Sequence, residues 1–229
     1  MKELPEAEIY EKELAYLPYR KSLRKVHDYI CRNAPEDGSL IDLMCGPGYL
    51  LGHIAYVRED LSLRGVDIDP RYVSYGKKNY PRIDFELGDI LTYEAEPCDV
   101  VICTGSLHHI PYHYQGQAVK NMADLAADDG FVLISDCHVD DFKTETERRI
   151  AAATLGYEYL KETIKNGAPT SVVEPTIDIL YNDVMCYEYK SSVKRRMGMF
   201  EKVFSSIEVF KTWPDEDTEY GDYIMVCRK

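Results

Sequence analysis

A doubly wound α/β fold is predicted by three observations. Short strand-like runs alternate with helical stretches from about residue 40 onwards, a glycine turn follows the first of those strands, and the chain closes on two strand-like runs joined by a short connector. Alternation of this kind means parallel strands joined by helical crossovers, with ligands expected at the carboxyl ends of the strands.

Taken in order, residues up to Asn33 read as one or two helices, because Ile9, Leu14, Leu17, Leu23, Val26 and Ile30 fall near helical spacing and Pro18 breaks the run. Leu40–Leu43 is a buried strand, Gly46 and Gly48 form a tight turn, and a helix opens at Tyr49. Leu61–Val66 is a strand followed by a helix from Pro70, with Asp69 placed as its N-cap. Strands are expected at Ile83–Leu87, Asp99–Cys103 and Phe131–Ser135, with a helix over Gln117–Ala127 between the last two. Residues 137–204 are more than a crossover needs; they carry a helical pattern over Thr144–Ile164, a breaker NGAPTSVVEP, and a second helical pattern over Ile177–Phe204. Ser206–Trp213 and Tyr220–Cys227 then form an antiparallel hairpin, bringing the sheet to about seven strands, mostly parallel.

At 229 residues and 45% hydrophobic content, the chain suits a single domain with an insertion. We expect residues 1–34 as a helical lid, 35–136 as the cofactor-binding half, 137–204 as a helical substrate cover and 205–229 as the terminal hairpin. Lys+Arg number 27 against Asp+Glu 40, a net charge of −13, which repels a polyanion and disfavours nucleic-acid substrates. The one basic run, KSSVKRRMGMF at Lys190–Phe200, reads as the solvent face of a helix. Seven scattered cysteines without a C-x-x-C pair suggest reduced thiols, and no segment has the apolar length of a signal peptide or membrane span, so a cytoplasmic protein is expected.

The glycine turn admits a dinucleotide, a nucleoside cofactor or no ligand. A dinucleotide fingerprint wants a third small residue where this chain has Leu51, and it wants positive charge for a pyrophosphate. The strand ends instead offer acids: Asp42, Asp67, Asp89 and Asp136. Asp67, 19 residues after Gly48, is placed to accept ribose hydroxyls. Asp42 either braces the turn or touches the ligand.

Through IDLMCGPG, GVDIDP, ELGDI, CDVVICTGSLHHI and DDGFVLISD, in that order from Leu40 to Asp136, the chain resembles the class I S-adenosylmethionine-dependent methyltransferases of small-molecule type, whose sheet is Rossmann-like. The resemblance implies S-adenosyl-L-methionine as cofactor, with Asp42, Cys45, Gly46 and Gly48 along the methionine moiety, Asp67 at the ribose, Ile68 and Ile90 on the adenine faces and Asp89 at its amino edge. Gly105, Ser106 and Leu107 would lie near the sulfonium, and Tyr19 and Arg20 match lid residues that cover the cofactor. The pattern departs at Met44, where the family usually has glycine.

The expected activity is methyl transfer to an oxygen or nitrogen of a small molecule, by in-line displacement. His108 or His109 is the candidate general base, with orientation of the site as the alternative role. His113, His138, His109 and Asp136 match no standard ligand spacing, so no metal is expected. Tyrosines at 10, 16, 19, 157, 159, 181, 187 and 189 suit a mostly apolar acceptor with a few polar groups. No membrane partner is expected, and a homodimer is allowed. The rival readings are a methyltransferase acting on RNA or protein, a dehydrogenase, and a protein of this fold that binds S-adenosylmethionine without methylating.

Overall fold

The computed structural model describes residues 7–229. Helices α1 (Ala7–Leu14) and α2 (Arg20–Asn33) precede an alternating series: β1 (Ser39–Leu43), α3 (Tyr49–Val57), β2 (Ser62–Asp67), α4 (Pro70–Asn79), β3 (Asp84–Leu87), β4 (Cys98–Thr104), α5 (Tyr112–Leu125) and β5 (Ala126–His138). Three helices follow, α6 (Glu145–Lys165), α7 (Thr170–Val184) and α8 (Val193–Phe200), and then the hairpin β6 (Ser206–Trp213) and β7 (Gly221–Arg228).

These strands form one seven-stranded sheet in the order β3-β2-β1-β4-β5-β7-β6. The first five are parallel and β7 runs antiparallel between β5 and β6. Strand order reverses between β1 and β4, which opens a crevice above their carboxyl ends. Alternation along the strands sends Leu40, Val100, Ile102 and Leu133 to one face, under α2 and α3. It sends Ile41, Leu43, Val101 and Ile134 to the other, under α5 and α8.

The sequence pattern and the structure differ in four places, one being β5, which runs over Ala126–His138 rather than Phe131–Ser135 and takes Ala126 and Ala127 from the expected helix end. Helix α5 starts five residues early, at Tyr112, because Pro111 supplies its N-cap position. The NGAPTSVVEP breaker interrupts the helices only over its first residues, since α7 begins at Thr170 and contains Pro175. Most consequential, the pattern over Ile177–Phe204 is two helices rather than one. Cys186 takes a left-handed φ of 59° and the chain between α7 and α8 leaves the helical path. The helical periodicity of that stretch requires Lys190 and Arg196 on a solvent face; both are buried, at 6% and 0% exposure, and paired with carboxylates.

Candidate active site

A cavity of about 510 Å³ opens over the carboxyl ends of β1, β2 and β4 and continues beneath α1, α6 and α7. Its size lies in the range of small-molecule sites, roughly 300–1,000 Å³. Gly46, Asp67, Ile68 and Gly105 border it on the sheet side, and Leu155, Tyr159, Asp183 and Glu188 on the insertion side.

The turn after β1 is built from left-handed residues: Met44 at φ 62°, Gly46 at 56° and Gly48 at 93°. Gly48 cannot carry a side chain, since a Cβ there would meet the Phe85 ring at 2.4 Å. Gly46 faces open space. Met44 keeps the backbone conformation that glycine adopts without cost, and its carbonyl accepts from Ser106 Oγ at 3.3 Å, so the departure from the glycine pattern leaves the turn intact.

Asp67 clasps this turn. Its Oδ2 accepts from Gly46 N at 2.8 Å and its Oδ1 from Asp69 N at 2.9 Å. Burial raises its pKa against the pull of those backbone bonds. Asp42 lies behind, 1% exposed, with Oδ1 unpartnered and its pKa pushed well up by burial and by Asp67. Ile68 stands 61% exposed at the rim. Asp69 caps α4 through Arg71 N, as expected.

Other candidates fall elsewhere. Asp89 turns back to accept from Leu91 N at 2.9 Å, the local bond a short acid makes after a glycine, and Ile90 is packed in the core; neither borders the cavity. Cys45, Gly48 and Leu107 lie behind the cavity wall rather than on it. Arg20 is exposed and donates to Ala15 O at 2.8 Å, away from the cavity, because the turn ahead of α2 aims its side chain along the surface. Tyr19 does reach the site: it is 7% exposed, and its ring lies so close to Gly105 that a Cβ there would meet it at 2.9 Å.

The two histidines sit in a 3₁₀ turn, Leu107–His109, and have opposite environments. His108 Nδ1 lies 2.5 Å from Asp136 Oδ1, and its Nε2 lies 3.5 Å from Glu188 Oε2. Burial opposes its charge, but the Cys137 sulfur and the Asp136 carboxylate outweigh that and hold its pKa well above the usual value. Arg196, wholly buried, donates to the other oxygen of Asp136 at 3.2 Å, and with His108 keeps that carboxylate ionised in spite of its own burial. His109 is drawn down to about 4 by burial and by its charged neighbour, and its Nδ1 has no hydrogen-bond partner. The cavity therefore meets a charged imidazole at His108 and a neutral one at His109. His138 is buried and turns Nδ1 to the Asp136 carbonyl; His113 is absent from the cavity wall.

Of the insertion side, sequence reasoning named Tyr159 and Tyr187, which line the cavity, but missed its charged residues. Lys190 Nζ lies 2.5 Å from Asp183 Oδ1 and 3.1 Å from Glu188 Oε2, while Glu188 Oε1 faces His109 Nδ1 at 4.0 Å. Burial works against ionised Glu188, but Lys190 and His108 bring its pKa down to about 2. Tyr159 OH donates to both oxygens of Asp222, at 3.1 and 3.0 Å. Glu13 of α1 reaches the cavity with Oε1 unpartnered, and burial pushes its pKa up to about 7. Asp183, Glu188 and Lys190 all fall inside the stretch whose periodicity predicts one helix over Ile177–Phe204, so no local signal sets them apart.

A family model described as a methyltransferase domain matches residues 40–130. The chain is 23% identical over 206 residues to the carboxy-S-adenosyl-L-methionine synthase of Wolinella succinogenes, covering 85% of this chain and 80% of that protein. It is 31% identical over 102 residues to the trans-aconitate 2-methyltransferase of Mycobacterium marinum, covering 44% of this chain and 37% of that one. Among solved structures it superposes on an N-methyltransferase from Bradyrhizobium japonicum in complex with S-adenosyl-L-homocysteine. The TM-score is 0.62 at 13% identity, covering 94% of this chain and 90% of the other. For the magnesium protoporphyrin IX methyltransferase of Synechocystis the figures are 0.61, 18%, 93% and 84%. These two likenesses are of fold.

Proposed function

We propose that the chain is a class I S-adenosylmethionine-dependent methyltransferase that moves the methyl group to an oxygen or nitrogen of a small molecule, with His109 accepting the acceptor's proton; the match of residues 40–130 to a methyltransferase-domain family supports the reading. The observation that carries this is the single cavity joining the clasped glycine turn at Gly46 and Asp67 to the neutral His109 and the insertion wall.

The residues fit the cofactor. Asp67 would hold the ribose hydroxyls, Ile68 would lie against the adenine, and the unpartnered Asp42 Oδ1 and the open space above Gly46 would suit the methionine end with its ammonium. When bound, S-adenosylmethionine supplies an electrophilic methyl group on a sulfonium. The protein's part is alignment, exclusion of water and removal of one proton. Tyr10, Glu13 and Leu14 of α1 with Leu155 and Tyr159 of α6 border the cavity opposite the sheet, which supports residues 7–34 and 137–204 as covers over a floor built by residues 35–136; residues 1–6 of the expected lid lie outside the described residues. His109 Nδ1 is neutral and unpartnered at the wall, whereas His108 is committed to Asp136 and positions the turn.

A small acceptor is supported over RNA or protein by the burial of Lys190 and Arg196 from the one basic run and by the net charge of −13. A second reading follows from the relatives named carboxy-S-adenosyl-L-methionine synthase, and a related one from trans-aconitate. Both involve carboxylates, which want a free cation. Among the described residues lining the cavity the only lysine or arginine is Lys190, engaged by two acids. The charge of the wall favours transfer to an uncharged or basic group. Seven free thiols support a reducing compartment such as the cytoplasm, and among the described residues no helix is long and apolar enough to cross a membrane.

Calorimetry with S-adenosylhomocysteine tests the cofactor half, with binding expected. A mass-spectrometric search of metabolite extract for a methyl-sized gain tests the acceptor half, and absence of any methylated product with a fully binding enzyme would leave a binding protein without transfer.

A further inference from the structure

We infer that the methyl acceptor is a small amine, received at the wall formed by Asp183, Glu188 and His109; this rests on the methyl-transfer reading above. Three observations carry it.

The wall is acidic beyond what the cofactor uses. With Asp67 assigned to the ribose, Glu13, Asp183 and Glu188 still line the cavity, against Lys190 as the one ammonium among the described lining residues. Lys190 occupies Asp183 Oδ1 and Glu188 Oε2, leaving Asp183 Oδ2 and Glu188 Oε1 on the other side of each carboxylate.

Of the buried cavity-lining atoms without partners, all but the Tyr19 hydroxyl are acceptors, Asn182 Oδ1 among them. Asp183 is 2% exposed and its Oδ2 is unpartnered; Glu13 is 7% exposed with Oε1 unpartnered; His109 Nδ1 is unpartnered at the same wall. A buried acceptor left without a donor is costly, and what these atoms lack is N–H. An amine provides several donors from one atom. A carboxylate provides none, and a hydroxyl one.

The rest of the lining is largely apolar, with aliphatic side chains and the rings of Tyr10, Tyr19, Tyr159 and Tyr187 on the cavity. Tyrosine rings accept a cationic nitrogen on their faces and an aryl or alkyl skeleton on the same surface. At this wall Asp183 and Glu188 accept N–H bonds and thereby aim the nitrogen lone pair away from themselves, toward the Ser106 end of the cavity. The lone pair forms the N–C bond as the S–C bond breaks. The bonding pair stays on sulfur, and the proton released from nitrogen passes to His109 Nδ1.

The test uses matched probes of one skeleton: benzylamine, benzyl alcohol and benzoate, and the corresponding 2-phenylethyl set. Each is titrated by calorimetry into protein saturated with S-adenosylhomocysteine, using wild type, Asp183→Asn and Glu188→Gln. At least one amine is expected to bind roughly tenfold or more tightly than its alcohol, with benzoate and phenylacetate weakest. Either substitution should erase that preference while affinity for S-adenosylhomocysteine holds. The inference is overturned by no amine binding, by equal binding of amine and alcohol, by preference for the carboxylate, or by preference surviving both substitutions. Should a variant fail to fold, the wild-type comparison still decides. A divalent cation retained by the protein and lost with Glu188→Gln would assign these acceptor atoms another occupant and overturn it too. Failure to bind S-adenosylhomocysteine at all would instead sink the methyl-transfer reading.

Discussion

His108 Nδ1 and Asp136 Oδ1 meet at 2.5 Å with a wholly buried arginine, Arg196, closing the far side of the carboxylate. That bond separates two adjacent imidazoles into different chemical species. Burial first, and the charge of His108 second, keep His109 neutral.

His109→Ala should lower turnover by roughly 10²–10⁴-fold, the usual worth of a positioned base, with affinity for S-adenosylhomocysteine unchanged. His109 titrates at about 4, so its neutral form is fully present above that value and turnover should be insensitive to it between pH 6 and 8. Turnover of His109→Ala within a few-fold of wild type would assign His109 a structural part.

The charged His108 makes a stability prediction with a definite sign. Its folded pKa is raised, so its contribution is complete below the unfolded value of about 6.5 and is lost as pH rises toward the folded one. The gap in unfolding free energy between wild type and His108→Gln should therefore narrow from pH 6 to pH 9 in urea titrations. A gap constant over that range would mean His108 is neutral in the folded protein.

Asp136→Asn leaves a buried guanidinium and a buried imidazolium without their carboxylate. Breaking such a cluster from one side costs about 3–5 kcal/mol. Denaturation by urea should show a loss of that order, and Arg196→Met combined with Asp136→Asn should recover part of it. A double variant no more stable than the single would argue against a mutual charge dependence.

Asp67→Ala should weaken S-adenosylhomocysteine binding roughly tenfold to a hundredfold, the range for hydrogen bonds to a charged group. It should also loosen the Gly46 turn that Asp67 clasps. Binding measured by calorimetry and left unchanged would remove Asp67 from the cofactor site.

Gly48→Ala meets two obstacles at once, a φ of 93° and the Phe85 ring at 2.4 Å from the new Cβ. We expect a destabilisation of about 2–4 kcal/mol. Met44→Gly should be far milder, because it relieves a left-handed side chain while giving up unfolded-state restriction. Unfolding midpoints for the two variants, measured side by side, check the contrast; equal losses would refute it.

The sheet was legible because its strands announce themselves by local periodicity. Leu40–Leu43 and Asp99–Cys103 differ from β1 and β4 by a residue or so at their ends. The sheet side of the cavity was legible for the same reason, since Gly46, Asp67 and Gly105 follow directly from strand ends. Asp89 and Ile90 were not, because an acid after glycine serves a local turn as readily as a ligand and the sequence does not say which way it faces. The insertion wall was hidden by pairing at a distance. Lys190 and Arg196 look like solvent-facing charge until Asp183 and Asp136 are brought to them, and only the fold does that.

The segment that leaves the helical path at Cys186 bears Glu188 and Lys190, and with Asp183 just ahead of it supplies much of the acceptor wall, while Gly46, Asp67 and Gly105 sit on strand ends far away in the chain. Two grips on one cavity thus reside on independent stretches of polypeptide. On the proposed reading, a handful of changes over residues 183–190 would reshape the acceptor side without touching the turn at Gly46 and Asp67. Diversification within such a scaffold needs only that one short stretch to drift.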